Sequence, residues 1–410
     1  MGKPSSRMKK QASQEASPSS HGASSQAQAH QAQAHAHAQV GKLAGGGSSL
    51  SLAASGDGGV ATTALRTRAA QRAAMGDVVG AISDLKLAVN LAPQDAETME
   101  ELGALLAETG QSQLAEAAFR HAIAIAPEVG HEKYMALGQL LVSEGNVEHG
   151  AASLRKGVDI LRALAQSSKT GKAADVSAEL SVALCSLAEA VLQAHAFEDD
   201  APDAQAMQRA DGEVQALLEE AAATDTSNPE PWQALASLRL TQGDSAAART
   251  CIAECMKRRS PPASISEEDV YNSFESHFAC AKLLVEVGEL ADATALLERL
   301  VEVDDGEADV WYVLGVCHLR QSDGAGDEEA TEESLACAAE CVERGEQLCS
   351  ASDSAMMDDD MDEDAAPVKA GAGAGIPMPS PSAREESQRR RTAFAELRAE
   401  IERREKQKCQ

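Results

Sequence analysis

The sequence predicts an all-α fold, a solenoid of about seven helical hairpins flanked by disordered tails, and two features carry that reading. One is a repeat: Gly76, Ala81, Leu85, Ala88 and Pro93 return as Gly110, Ala115, Phe119, Ala122 and Pro127, each thirty-four residues later. A small residue, a leucine or aromatic four positions on and another small residue three beyond mark a helix packed closely on its neighbour, with proline where the chain stops being helical. The other is composition. Aromatic residues make up only 2% of 410, and alanine is abundant throughout, which suits many small helix contacts better than one large core.

Taken in order, residues 1–60 are of low complexity and hold too little apolar matter to offset the entropy of ordering, so a disordered tail is expected. Its tract from His30 to His37 is either a polar spacer or a weak metal ligand. The repeat array is followed over 61–349. Its first pair runs from 62 to 95 and its second from 96 to 129, the latter with Leu102-Gly103 on the first helix and a turn at Gly110. The third keeps Leu137-Gly138 and a turn at Gly145 but places Gly150 and Gly157 where alanine usually sits, a change expected to weaken its second helix by about 0.5–1 kcal/mol each. A stretched fourth pair is expected from a helix near 173–195, the polar insertion HAFEDDAPDAQ and a helix near 207–224, the insertion projecting from one rim.

The fifth pair shows Pro231-Trp232, Leu235-Ala236, Gly243 and Ala248, and the sixth Gly288, Ala293 and Leu297. The seventh opens with Trp311 and Leu314-Gly315, then an acidic loop, SDGAGDEE, precedes its second helix near 331–349. Trp232 and Trp311 match the bulky residue that wedges successive helices and are assigned to the core. Segments 165–173 and 259–272 read as loops or short added turns. Residues 350–383 read as a linker, an acidic run from Asp358 to Asp364 followed by a Pro/Gly/Ala spacer. The last stretch, 384–410, reads as a charged helix with Phe394, Leu397 and Ile401 on one narrow face, either docked on the array or solvated alone.

The formal net charge is −29 and the sequence pI about 4.7. Such a molecule repels phosphate backbones and anionic lipid and attracts basic proteins. The two tails are each +3 and the repeat array alone carries −29, so the anionic character belongs to the array. Nine cysteines are scattered without a CxxC pair, mostly where a repeat needs a small apolar residue, and they imply a reducing compartment with neither a disulfide frame nor zinc. Cys255 stands where Ala88 and Ala122 stand in earlier repeats. No run of about eighteen apolar residues and no secretion signal is present, so a soluble protein of the cytoplasm and nucleus is expected, working as a monomer and without a cofactor.

These spacings resemble the tetratricopeptide repeats, whose helix pairs stack into a right-handed superhelix with the first helix of each pair lining the concave side. A narrower resemblance lies in NPEPWQALASLRLTQGDSAAA, from Asn228, and AKLLVEVGELADATALLERLVEVDDGEADVWYVLGVCHL, from Ala281. These stretches are similar to the eukaryotic chaperones dedicated to large-subunit ribosomal protein four. That resemblance implies capture of the ribosomal protein as it is synthesised, with its long basic loop shielded until it joins the large subunit.

If Met99, Leu102, Gly103 and Leu106 face a neighbouring helix, the opposite face carries Glu97, Glu100, Ala104 and Glu108. The same offset gives Glu132, Glu189, Glu230, Glu275, Glu286 and Asp309, against Arg66, Lys282 and Arg320. An acidic inner wall for a Lys/Arg-rich client segment is therefore expected. Glu97, Glu132, Glu230, Glu275 and Asp309 also lie in first turns, where the helix dipole favours an acid by about 0.3–1 kcal/mol without any partner. Glu100, Glu108, Glu189 and Glu286 lie deeper and carry the binding reading. Met135, Leu240, Phe278 and Tyr312 fall on the same wall, as client anchors or as gap-fillers between helices.

No Gly-rich phosphate loop, nucleophile constellation or tuned acid–base pair accompanies these acids, so an enzyme is not expected. A co-chaperone clamp for the acidic terminus of a heat-shock protein needs Lys, Arg and Asn where Glu97, Glu100 and Glu132 stand. A general repeat scaffold for another assembly is the remaining alternative.

Overall fold

The computed structural model describes residues 58–167, 173–196, 204–259, 273–324, 328–358 and 381–408. They form fifteen helices and, among the described residues, no strand. These are α1 (Gly58–Ala74), α2 (Val78–Leu91), α3 (Ala96–Glu108), α4 (Ser112–Ile125), α5 (Glu132–Ser143), α6 (Val147–Ser167) and α7 (Ala173–Ala196). After them come α8 (Ala204–Thr224), α9 (Glu230–Thr241), α10 (Ser245–Arg258), α11 (Phe274–Val287), α12 (Leu290–Val303), α13 (Ala308–Gly324), α14 (Glu328–Asp358) and α15 (Pro381–Lys408). The chain divides into two compact units, Met1–Pro202 and Asp203–Gln410.

In the first unit α1/α2, α3/α4 and α5/α6 form hairpins, and each second helix packs on the next first helix, ending with α6 on α7. In the second unit α8 packs on α9, the hairpins are α9/α10, α11/α12 and α13/α14, and α15 lies on α13 and α14. The helices expected to form a fourth pair, α7 and α8, thus fall in different units. Most of the tail, the insertion between them and most of the 350–383 linker lie outside the described residues. Helix α1 begins within the segment expected to be disordered, and α14 continues past 349 into the segment expected to be linker.

The repeat has a direct cause in the turns. Gly76, Gly110, Gly145, Gly243 and Gly288 have φ between +70° and +87°, conformations that side-chain-bearing residues rarely adopt. Each follows the first helix of a hairpin, and the next amide, on Asp77, Gln111, Asn146, Asp244 or Glu289, donates back to a carbonyl five residues earlier at 2.8–2.9 Å. That bond satisfies a helix-end acceptor and turns the chain into the second helix. Asp77 and Asp244 then cap α2 and α10 by accepting from the Gly80 and Ala247 amides, both at 2.9 Å.

Inside the hairpins the small residues are sealed: Ala81, Ala88, Ala115, Ala122, Ala248, Cys255 and Ala293 are all 0% exposed. In the third hairpin the glycines of α6 have a packing role beside their cost in helix propensity. An added Cβ at Gly150 would lie 2.6 Å from Val142 Cγ2 and 2.8 Å from the Gly138 carbonyl oxygen, and one at Gly157 would lie 2.8 Å from Met135 Sδ. These glycines let α6 approach α5 more closely than alanine allows, so they serve packing.

Face chemistry changes at α1. Arg68 and Arg72 occupy the repeat positions of Leu102 and Leu106, and Asp84 that of Ala118. Arg68 grips the buried Asp84 carboxylate at 2.6 and 2.7 Å and holds its pKa below the ordinary carboxylate range. Charge there replaces the apolar contact made by later hairpins.

Candidate binding surface

In the first unit α3 packs on α5 and α5 on α7, and in the second α9 packs on α11 and α11 on α13. First helices therefore line up side by side in each unit, and each leaves one face to a common wall.

On the first unit's wall several expected acids are held by the protein's own bases. Arg66 Nη1 donates to Glu97 at 2.9 Å, while its Nε and Nη2 donate to Glu101 at 3.0 and 2.6 Å. The Arg66 hydrogen bond keeps the Glu97 carboxyl below its ordinary pKa, and the two carboxylates raise that of Arg66. Glu100 accepts from Lys133 Nζ at 3.1 Å, and the Lys133 side chain is only 1% exposed. The same ammonium donates to the Val129 carbonyl. Glu132 lies 3.6 Å from His131 Nδ1, and His131 Nε2 lies 3.6 Å from Glu179. Glu189 is exposed on α7. Glu108, in the last turn of α3, is exposed and makes no ion pair among the described residues.

In the second unit Glu230, Glu275 and Glu286 are exposed and likewise make no ion pair among the described residues. Glu230 and Glu275 occupy first turns and so retain the dipole explanation. Glu286 lies one residue before the end of α11, where the dipole opposes an acid. Lys282 Nζ stands 4.6 Å over the Phe278 ring, and Arg320 donates to the Val285 carbonyl at 3.0 Å. Phe278 and Leu240 are partly buried against the core, and Met135 fills the space beside Gly157, which places these three as gap-fillers.

Two expected wall residues meet α15. Asp309 is held by Arg390 of α15, whose Nε and Nη2 both stand at 3.0 Å, and Tyr312 meets Phe394 of α15 edge-on with centroids 5.5 Å apart. Both point to the helix stacked next in the array. Sequence reasoning missed Glu101 and Lys133. The signal for Lys133 was its alignment with Thr98, a fully buried position where an ammonium needs a carboxylate.

Trp232 and Trp311 pack on the core, Trp232 beneath the Arg258 guanidinium at 4.8 Å and Trp311 donating Nε1–H to the Asp305 carbonyl at 2.9 Å. The eight described cysteines form no disulfide with one another. Burial pushes the thiols of Cys317 and Cys341 up to about 11 and about 12. Among the described residues no group of three or more His, Cys, Asp or Glu could hold a metal ion, and no helix is long and apolar enough to cross a membrane.

A tetratricopeptide-repeat family model matches residues 96–129, the second hairpin. A solved structure titled "Assembly Chaperone of RpL4 (Acl4) (Residues 1-338)" superposes with a TM-score of 0.54 at 24% identity, over 64% of this chain and 97% of that one. Residues 96–129 are a tetratricopeptide repeat, and the fold is of the tetratricopeptide-repeat kind. Among curated proteins, this chain is similar to the "Probable assembly chaperone of rpl4" of Schizosaccharomyces pombe, 28% identical over 251 residues that make up 59% of this chain and 70% of that protein. It is also similar to the protein of the same description from Emericella nidulans, at 26% over 245 residues, 57% of either chain.

Proposed function

We propose that this protein is a dedicated chaperone for large-subunit ribosomal protein four and holds that protein's Lys/Arg-rich loop against the acidic walls of its repeat array. The observation that carries the reading is the similarity to two curated assembly chaperones of rpl4 over more than half of the chain. The charge distribution supports it. Glu108, Glu230, Glu275 and Glu286 face solvent without an internal base, on a chain of net charge −29. Exposed acids on the wall of a unit raise the local concentration of a cationic segment and speed its capture. A bound basic loop is at the same time kept from RNA, for which it would otherwise have strong electrostatic affinity. The protein acts as a monomer in cytoplasm and nucleus, needs no cofactor and makes no direct contact with nucleic acid.

Titration calorimetry of the full chain with purified ribosomal protein four tests this. A one-to-one complex is expected, with affinity falling steeply as salt rises because the Debye length contracts from about 30 Å at 0.01 M to about 8 Å at 0.15 M. Absence of a complex at low salt, or equal affinity for an unrelated basic protein such as a histone, overturns the reading.

A further inference from the structure

The second unit ends on a helix whose chemistry is that of a client. α15 lies on α13 and α14 as the first helix of a further hairpin would. Phe394, Leu397 and Ile401 are 1%, 7% and 3% exposed there, against Leu335, Ala338 and Val342. A Cβ on Gly345 would fall 2.0 Å from Phe394 Cζ, so the glycine admits the ring. Around this apolar strip the arginines of α15 take acids of the helices beneath. Arg390 holds Asp309, Arg404 Nη1 meets Asp323 at 2.5 Å, and Arg398 pairs with Glu346.

Three buried apolar side chains anchor the helix, and Arg404 Nη1 also donates to the Leu319 carbonyl at 2.9 Å. Its ion pairs are open to water, with Glu346, Asp309 and Asp323 side chains 35–60% exposed, and such pairs each contribute little. Residues 359–380 tether it to α14, so release and return take place within one molecule. From Arg384 to Lys408 it carries nine basic residues and six acidic ones.

We propose that the α13–α14 end surface is a binding site for an arginine-bearing amphipathic segment, and that α15 is its resident occupant, an internal competitor that a client displaces. This rests on the assignment of a basic client and adds its regulation: Asp309 and Tyr312 become available only when α15 leaves. A protein whose competent state is a minor fraction binds with an affinity lowered by that fraction, so loosening α15 tightens capture.

The test uses the full chain and the variant R390E/R398E/R404E. Hydrogen exchange reads α15 directly, and calorimetry reads affinity for ribosomal protein four. The variant should exchange faster in α15 and bind about tenfold more tightly, the scale expected when a docked state of roughly 90% is removed. Excess synthetic peptide 381–408 should reverse the gain. In the wild-type chain, added ribosomal protein should speed α15 exchange. Faster exchange in the variant with unchanged affinity, or protection of α15 in the wild-type complex, makes α15 a structural cap and overturns the competition while the client assignment stands. If neither protein binds ribosomal protein four, both fall, and the missing wild-type complex tells that result from the first. A dimer that exchanges α15 between copies overturns the intramolecular arrangement.

Discussion

Lys133 and Glu100 show how one residue's role depends on its neighbour. A lysine whose side chain is 1% exposed has lost nearly all its water, and the carboxylate 3.1 Å away supplies the compensation. Its place deep in α3 excludes capping for Glu100, and spacing alone therefore predicts a client contact. Its carboxylate instead joins the second hairpin to the third. Removing one partner of a buried pair costs about 3–5 kcal/mol, and because the Glu100 side chain keeps 21% of its exposure a figure near 2 kcal/mol is expected here. Glu100→Gln should lower the urea midpoint of the first unit accordingly, and adding Lys133→Met should recover most of the loss. Both tryptophans lie in the second unit, so circular dichroism, corrected for the tryptophan-detected transition, is the suitable readout. An unchanged midpoint would mean that the pair contributes nothing. Face assignments were legible from helical spacing, as the exposure of Glu108 and Glu286 shows. Pairings such as Glu100 with Lys133 or Glu101 with Arg66 were not, because they link residues on successive hairpins whose offset depends on how the helices stack.

At the scale of the element, the same amino acid acts in two opposite ways. A Cβ on Gly150 would fall 2.6 Å from Val142 Cγ2 and 2.8 Å from the Gly138 carbonyl oxygen, whereas Gly212, in α8, has nothing within 4 Å of an added Cβ. Gly150→Ala should therefore destabilise by about 1–3 kcal/mol through overpacking, and Gly212→Ala should stabilise by about 0.5–1 kcal/mol through helix propensity alone. Thermal unfolding of the two variants beside wild type checks both signs at once; two shifts of the same sign would contradict the packing account. Turn glycines were legible because a left-handed residue recurs wherever a hairpin closes. Those of α6 were not, since helix propensity measures the chain alone and these glycines answer to a neighbour. The docking of α15 is not legible for a related reason: three apolar residues in a highly charged helix fit a solvated rod equally well, and only the complementary surface of α13 and α14 decides.

For the whole molecule, net charge alone says little about where a cation binds. Arg66 and Lys133 already neutralise part of the first unit's wall at Glu97, Glu101 and Glu100, and Arg390 part of the second's at Asp309, so that, beyond the first-turn acids Glu230 and Glu275, the acids without an internal base include Glu108 in the first unit and Glu286 in the second. Neither supports packing, so both suit charge reversal without loss of fold. Rim charges act mainly on the association rate and on its salt dependence. Glu108→Lys with Glu286→Lys should slow association with ribosomal protein four by about tenfold at low ionic strength and leave helicity unchanged, the difference shrinking as salt screens the field. Stopped-flow association at several salt concentrations checks this. Equal rates at every salt would show that capture does not proceed through these walls. The single reversals separate the contributions, because an effect confined to Glu108→Lys assigns the encounter to the first unit and one confined to Glu286→Lys to the second.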